Sequence, residues 1–280
     1  MPAHFYKYQA LGNDMVVLDP ASFTLPLPPP AIRLICDRHL GLGADGICYG
    51  PLPEHDWPTM RFFNPDGSES GKSGNGLRVF ARYVWEQGLV GGGSVFEIGI
   101  QQEVIRVRLV DAAARLISTT MGRLSFNSDL IPMTGPVRQV VEEMVQINGD
   151  PYRLTAASIG NPHAVLFVEE VSPEVVREIG PRLETAPLFP QRTNVQLVQV
   201  LDRHTIKIEI WERGAGYTLA SGSSACATAG AAIKTGRCRS PVEVRMAGGA
   251  ATVEVDPAWH VTLTGPVEAV CRGEFAPELV

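Results

Sequence analysis

FNPDGSESGKSGNGLRVFARYVWEQG, from Phe63 to Gly88, and WERGAGYTLASGSSACATAGAAIKTG, from Trp211 to Gly236, are one motif written twice. With Ser73 set on Ser221, Ser-Gly follows in both copies, Ala81 and Ala229 each lie eight residues on, and Gly88 and Gly236 each lie fifteen on. In each copy a Gly/Ser turn leads into about four helical turns that end at a glycine, the usual C-terminal stop. Each copy therefore places a small hydroxyl beside a helix N-terminus, where unpaired N–H groups and the positive end of the helix dipole can hold an anion. A duplicated tip of this kind is expected to serve one ligand carboxylate from two sides.

Working outward, HFYKYQA (His4 to Ala10) and MVVLD (Met15 to Asp19) read as strands joined by a tight turn at GND. Pro30 can open a helix over AIRLICDRH, and GLGADG ends it. ICYG and MRFF then feed the first copy, and SVFEIGI, EVIRVRLV and ARLISTTMG follow it as strands. VRQVVEEMVQI (Val137 to Ile147) fits either strand or helix, and the NGD turn after it favours strand. HAVLFVE reads as a buried strand, and SPEVVREIGPRLE as an amphipathic helix broken at Gly180-Pro181. Two alternating strands turn near Asp202 to His204 before the second copy, and VEVRMAG, ATVEVD and HVTLTG follow it. Strand–strand–helix–strand–strand, twice over, predicts an α+β protein of two pseudo-symmetric lobes. Each lobe is expected to wrap a mixed or antiparallel sheet around a central apolar helix, VFARYVW in the first and ACATAGAAI in the second. The expected lobes are residues 1–123 and 124–265, with the tail 266–280 returning to the first.

A length of 280 residues agrees with two domains. No apolar run reaches the roughly 18 residues of a membrane helix, and the N-terminus carries no basic stretch followed by an apolar core. A cytoplasmic protein that does not meet the membrane is the expectation. A net charge of −6 without a basic cluster argues against a nucleic-acid partner and for a small molecule. The five cysteines have neither C-x-x-C nor zinc spacing, so no metal site is expected.

A Ser-Gly turn is by itself an ordinary helix cap; two copies, each preceded by a polar loop, point instead to a shared site. GSESGKS (Gly67 to Ser73) nearly matches a phosphate-binding loop but falls one residue short. Asp66 stands where the leading glycine belongs, and its charge would repel phosphate. Nucleotide binding is set aside on that ground.

ALGND, FNPDGSE, SGNG-LR-FAR, IGNPH (Ile159 to His163), RTN (Arg192 to Asn194) and ERGAG-T-ASGS-ACA together resemble the successive signatures of the diaminopimelate epimerases, in order and across nearly the whole chain. The resemblance implies an amino-acid epimerase of two pseudo-symmetric domains, homodimeric, working without pyridoxal phosphate or any other cofactor. It implies that backbone amides of Gly74, Asn75, Gly222 and Ser223 hold the reacting carboxylate. It further implies that Asn64, Asn161, Asn194 and Arg213 read the far end of the substrate, with Asn13 and Glu212 also lining the site. The alternative for the asparagines is turn stabilisation. Preorganised donors on the carboxylate suit this chemistry, because the neighbouring C–H is very weakly acidic.

The resemblance breaks where the family places its two catalytic cysteines, since here both positions are serine, Ser73 and Ser221. A thiol with a pKa of about 8.5 can become a thiolate at a helix N-terminus, whereas serine requires a neighbouring base. Lys72 is the nearest titratable neighbour in sequence. The chain is then a form with both thiols removed, a relative whose chemistry is lost or changed, or an enzyme whose serines act in an unusual setting. Weak or absent turnover is the expectation. Gly46, where the family usually has Gln, and Tyr217, where Glu or similar is common, leave open another amino acid such as histidine as substrate.

Overall fold

The computed structural model describes residues 3–23, 25–53, 55–71, 73–147 and 149–278. In chain order the first elements are β1 (His4–Ala10), β2 (Asn13–Leu18), α1 (Pro29–Cys36), β3 (Ile47–Leu52), β4 (Thr59–Phe63), β5 (Glu69–Ser70), α2 (Gly74–Glu86), β6 (Val95–Ile100), β7 (Glu103–Leu109) and β8 (Leu116–Arg123). There follow β9 (Glu143–Ile147), β10 (Asp150–Ser158), β11 (Pro162–Phe167), α3 (Pro173–Glu184), β12 (Asn194–Asp202), β13 (Thr205–Glu212), β14 (Gly216–Thr218) and α4 (Gly222–Lys234). The last are β15 (Val242–Met246), β16 (Gly249–Val255), β17 (His260–Pro266) and β18 (Glu268–Glu274). The class is α+β, and the chain divides into two compact units, residues 1–119 with 264–280, and residues 120–263.

Each unit carries the same sheet grammar. In the first, β1 pairs antiparallel with β2, β2 parallel with β3, β3 antiparallel with β4, β4 parallel with β6, and β6 antiparallel with β7. In the second, β10, β11, β12, β13, β15 and β16 repeat that series of orientations step for step. A parallel pair needs a crossover between its strands, and helices supply it. Thus α1 and α3 each link the first parallel pair of their unit, and α2 and α4 the second.

The two crossover helices from the duplicated motif are buried on nearly every face. In α2 the run Gly74 to Ala81, with Tyr83 and Val84, is buried; in α4 the buried run is Ser224 to Ala232, with Gly222. Such helices are hydrophobic all round because sheet surrounds them, and α4 packs on β10 to β13, β15 and β16. Both end alike: Gly88 at φ 69° and Gly236 at φ 74° take the left-handed conformation that glycine tolerates. Leu89 N–H then bonds Val84 O at 2.9 Å, and Arg237 N–H bonds Ala232 O at 2.9 Å, the six-to-one bond of a Schellman stop.

Two local expectations are corrected. The helix over SPEVVREIGPRLE is not broken: α3 runs through Gly180 and Pro181 to Glu184. The proline forgoes the N–H bond to the Arg177 carbonyl, and buried Val176 and Leu183 hold both sides of it to one core. Only Glu143–Ile147 of the run from Val137 is strand, because Glu142 adopts φ 51° and interrupts the extended chain. The tail contains β18, which pairs antiparallel with β1 from His4↔Glu274 to Gln9↔Glu268. Its exposed side chains give no apolar alternation that would mark a strand.

Candidate active site

The tips of α2 and α4 have matching geometry. Ser73 is the N-cap of α2 at φ −129°, ψ 116°, and its Oγ accepts from Gly76 N–H at 3.1 Å. Ser221 caps α4 at φ −142°, ψ 124°, and its Oγ accepts from Ser224 N–H at 3.4 Å. Gly74 and Asn75, and Gly222 and Ser223, are therefore the first helical residues, whose N–H groups have no intrahelical partner by position. Lys72 lies outside the described residues. Residues 69–70 of the near-phosphate-loop motif are strand paired with β4, not a loop wrapped around a helix start.

The spacing that carries Ser73 onto Ser221 also carries Asn13 onto Asn161 and Asn75 onto Ser223, and the structure makes the same contact in both units. In the first, Asn75 Nδ2 donates to Asn13 Oδ1 at 3.0 Å; in the second, Asn161 Nδ2 donates to Ser223 Oγ at 3.3 Å. Each hairpin asparagine is thereby tied to the second helical residue of its tip. The copies differ in what lies behind. Buried Arg78 donates to Asn75 Oδ1 at 2.6 Å and Gly74 O at 3.1 Å, while Asn13 Nδ2 donates to Asp45 Oδ2 at 3.0 Å. Arg38 bonds both Asp45, at 2.8 Å, and Asp14, at 2.6 Å, and Lys7 pairs with Asp14 at 2.8 Å.

Behind the second tip stands His163, fully buried. Its Nε2 lies 3.0 Å from Asn161 Oδ1, and its Nδ1 lies 3.1 Å from Gln196 Nε2. Burial pushes the imidazole pKa down to about 3, and the positive charge of Arg213 acts in the same direction, so the ring is neutral. Gln196 Nε2 also reaches Ser224 Oγ at 3.0 Å.

Asn194 and Arg213 also come together. Asn194 Nδ2 donates to Pro162 O at 2.8 Å, and Arg213 N–H donates to Asn194 Oδ1 at 3.0 Å. The Arg213 side chain, exposed, bonds Gln191 O at 3.1 Å. Glu212 ends β13 half-buried beside it. Asn64 belongs to a separate turn, where Nδ2 donates to Ser68 Oγ at 3.0 Å and its N–H to Ser68 O at 2.8 Å.

Sequence reasoning passed over three residues that hold these groups. Glu184 accepts from Trp211 Nε1 at 2.7 Å and from Gly214 N–H at 2.9 Å, fixing the turn that carries Arg213. Asp45 and Gln196 orient Asn13 and His163. A lone acid or amide in a loop, in a strand or at a helix end carries no local signal for such a role. At the two departures, a Cβ on Gly46 would lie 2.6 Å from the Phe62 ring. Tyr217 donates to Glu209 at 2.9 Å beneath the Arg177 guanidinium.

A sequence profile of diaminopimelate epimerase matches residues 5–126 and 155–270. The chain is 46% identical to diaminopimelate epimerase 2 of Nostoc sp., over 98% of this chain and 96% of that protein. It is 42% identical to the diaminopimelate epimerase of Moorella thermoacetica, over 97% and 99%. Among solved structures, a probable proline racemase from Agrobacterium radiobacter superposes with a TM-score of 0.72 at 13% identity, covering 98% of this chain and 93% of that one. A predicted epimerase from Pseudomonas aeruginosa gives 0.66 at 18%, covering 98% and 99%. These two likenesses speak to the fold.

Proposed function

The chain belongs to the diaminopimelate epimerase family, and from that membership we propose that it binds diaminopimelate and is built to invert the α-carbon between the L,L and meso forms. The observation that carries the reading is the repeated tip: a capped helix N-terminus with open N–H groups, locked to an asparagine from the preceding hairpin, in both units. Gly74, Asn75, Gly222 and Ser223 supply amides to the reacting carboxylate, which lowers the cost of removing the adjacent proton. Asn64, Asn161, Asn194 and Arg213 receive the far amino-acid end, with Asn13 and Glu212 beside them. Ser73 and Ser221 occupy the two base positions. The protein is a cytoplasmic homodimer serving lysine and cell-wall precursor synthesis, and sedimentation at micromolar concentration tests the oligomer.

Both serines leave the chain weak or silent as a catalyst. Each hydroxyl oxygen accepts from a helix N–H, which suits a cap and makes it a poorer proton acceptor. The neutral, doubly engaged His163 has no lone pair to spare for either. The same bonds favour a second reading, an amino-acid-binding relative without turnover. Incorporation of deuterium at the α-carbon of L,L-diaminopimelate in heavy water separates the two. The unaltered chain is expected to exchange slowly or not at all, and the Ser73→Cys/Ser221→Cys double variant at least about a hundredfold faster. A double variant that binds diaminopimelate yet exchanges nothing would remove residues 73 and 221 from the base positions. Binding of histidine in preference to diaminopimelate would move the substrate to a related racemase.

A further inference from the structure

Behind Ser221 the hydrogen bonds close into a ring within one unit: Gln196 to His163, His163 to Asn161, Asn161 to Ser223, Ser223 to Ser221, Ser221 to the Ser224 amide, and Ser224 Oγ back to Gln196. The direction of the bonds from Gln196 through to Ser223 follows from chemistry, while the Ser223–Ser221 hydroxyl pair, 3.5 Å apart, can run either way. An amide NH2 can only donate, so Gln196 Nε2 leaves His163 Nδ1 as an acceptor and places the ring proton on Nε2. That proton goes to Asn161 Oδ1, which turns Asn161 Nδ2 toward Ser223 Oγ.

The reverse orientation of the glutamine amide is the costlier one. As it stands, both Nε2 hydrogens have acceptors and the buried Oε1 alone lacks a partner among the described residues. Turned over, the amide would bury two unsatisfied hydrogens instead of one unsatisfied oxygen. The first unit has no counterpart of this device, because the positions matching His163 and Gln196 are Met15 and Cys48. Asn13 is oriented by Asp45 instead. An apolar pair satisfies the same packing position, so packing does not call for a buried histidine here.

We propose that Gln196 is a positioning residue: it pins His163 as the neutral Nε2–H tautomer, and through it fixes the orientation of Asn161 and Ser223 toward a ligand. Ser223 Oγ accepts from Asn161, so its own proton can go to a ligand or to Ser221 Oγ, and one Asn161 amide hydrogen has no partner among the described residues. The second tip thus presents donors, as a carboxylate requires. This deepens the function proposed above and rests on it for the identity of the ligand.

Long-range 15N–1H correlation spectra of the histidine rings test it on the full chain. His163 is expected to show a protonated Nε2 and an unprotonated Nδ1, unchanged across about pH 5 to 8. Gln196→Glu, which offers Nδ1 an acceptor, is expected to move the proton to Nδ1 and bring the ring into titration in that range. Gln196→Leu is expected to mix the tautomers and weaken diaminopimelate binding about tenfold, the worth of one misdirected hydrogen bond. An Nδ1–H tautomer in the unaltered chain, or a Gln196→Glu ring unchanged in tautomer and titration, would overturn the proposal. The unaltered chain answers even where a variant fails to fold. The pinned tautomer together with no binding of diaminopimelate would sink the substrate and leave Gln196 in its role.

Discussion

Asp14 is the residue through which the first site loop is tied to its unit. It neighbours Asn13 and holds Lys7 at 2.8 Å and Arg38 at 2.6 Å. Burial pushes its carboxyl up, but the bonds from Arg38 and Lys7 outweigh that effect and hold the pKa at about 2. A carboxyl depressed in the folded state stabilises the fold above its unfolded value of about 3.9 and loses that contribution as pH falls through about 2. Asp14→Asn is therefore expected to cost about 1–2 kcal/mol near neutral pH, discounted because Arg38 is half exposed. Urea titrations at pH 7 and pH 2.5 check this: the gap between the two proteins should narrow at the lower pH. A gap of equal size at both would mean that packing, not charge, sets the cost.

At the scale of elements, α3 and the turn after β13 form one working part. Gly180 faces Trp211 so closely that an added Cβ would lie 2.5 Å from the ring's Cγ, and Trp211 in turn bonds Glu184 at the helix end. Alanine is the better helix former by about 1 kcal/mol, yet overpacking against a rigid ring costs about 1–3 kcal/mol. Gly180→Ala is expected to lower stability by about 1 kcal/mol or more and to shift Trp211 fluorescence; a stabilised variant would show that the ring moves aside freely. The same helix marks where reading the sequence stopped. The 3.6-residue pattern and the Ser172 cap were legible, because both are local. That Gly-Pro would continue the helix was not, because what holds it is a core drawn from distant parts of the chain, into which its own Val176 and Leu183 pack, with Trp211 against Gly180. The two serines stood out through the repeated motif, and the asparagines only through the family resemblance. His163 and Gln196 in strands, Asp45 in a loop and Glu184 at a helix end act by contact with residues far along the chain, and a single residue does not announce such a partner.

For the whole molecule, the duplication makes cysteine chemistry countable. All five cysteines are free, four of them buried and Cys271 exposed on β18. Burial, with Asp14 and Asp45 nearby, pushes the Cys36 thiol up to about 12, and burial pushes Cys48 up as well. Thiolate, not thiol, is the reactive form, so the folded chain should present one fast thiol to a disulfide reagent at pH 8, and the chain in guanidinium five. Thiols placed at the caps of α2 and α4 would meet open helix N–H groups that favour the thiolate and oppose the effect of burial, which at position 221 is as complete as at Cys36. Native Ser73→Cys and Ser221→Cys chains should each show two fast thiols, and the double variant three, as read by absorbance with mass spectrometry to place the label. The two tips differ behind their caps, with Arg78 buried under the first and neutral His163 under the second. A cation beneath a thiol lowers its pKa and a neutral imidazole does not, so the thiol from Ser73→Cys should react at lower pH than the one from Ser221→Cys. Equal pH profiles would show that the helix ends alone set thiol acidity. A new thiol as slow as Cys48 would mean that its cap is closed to small molecules, and the proposed base at that position would fall with it.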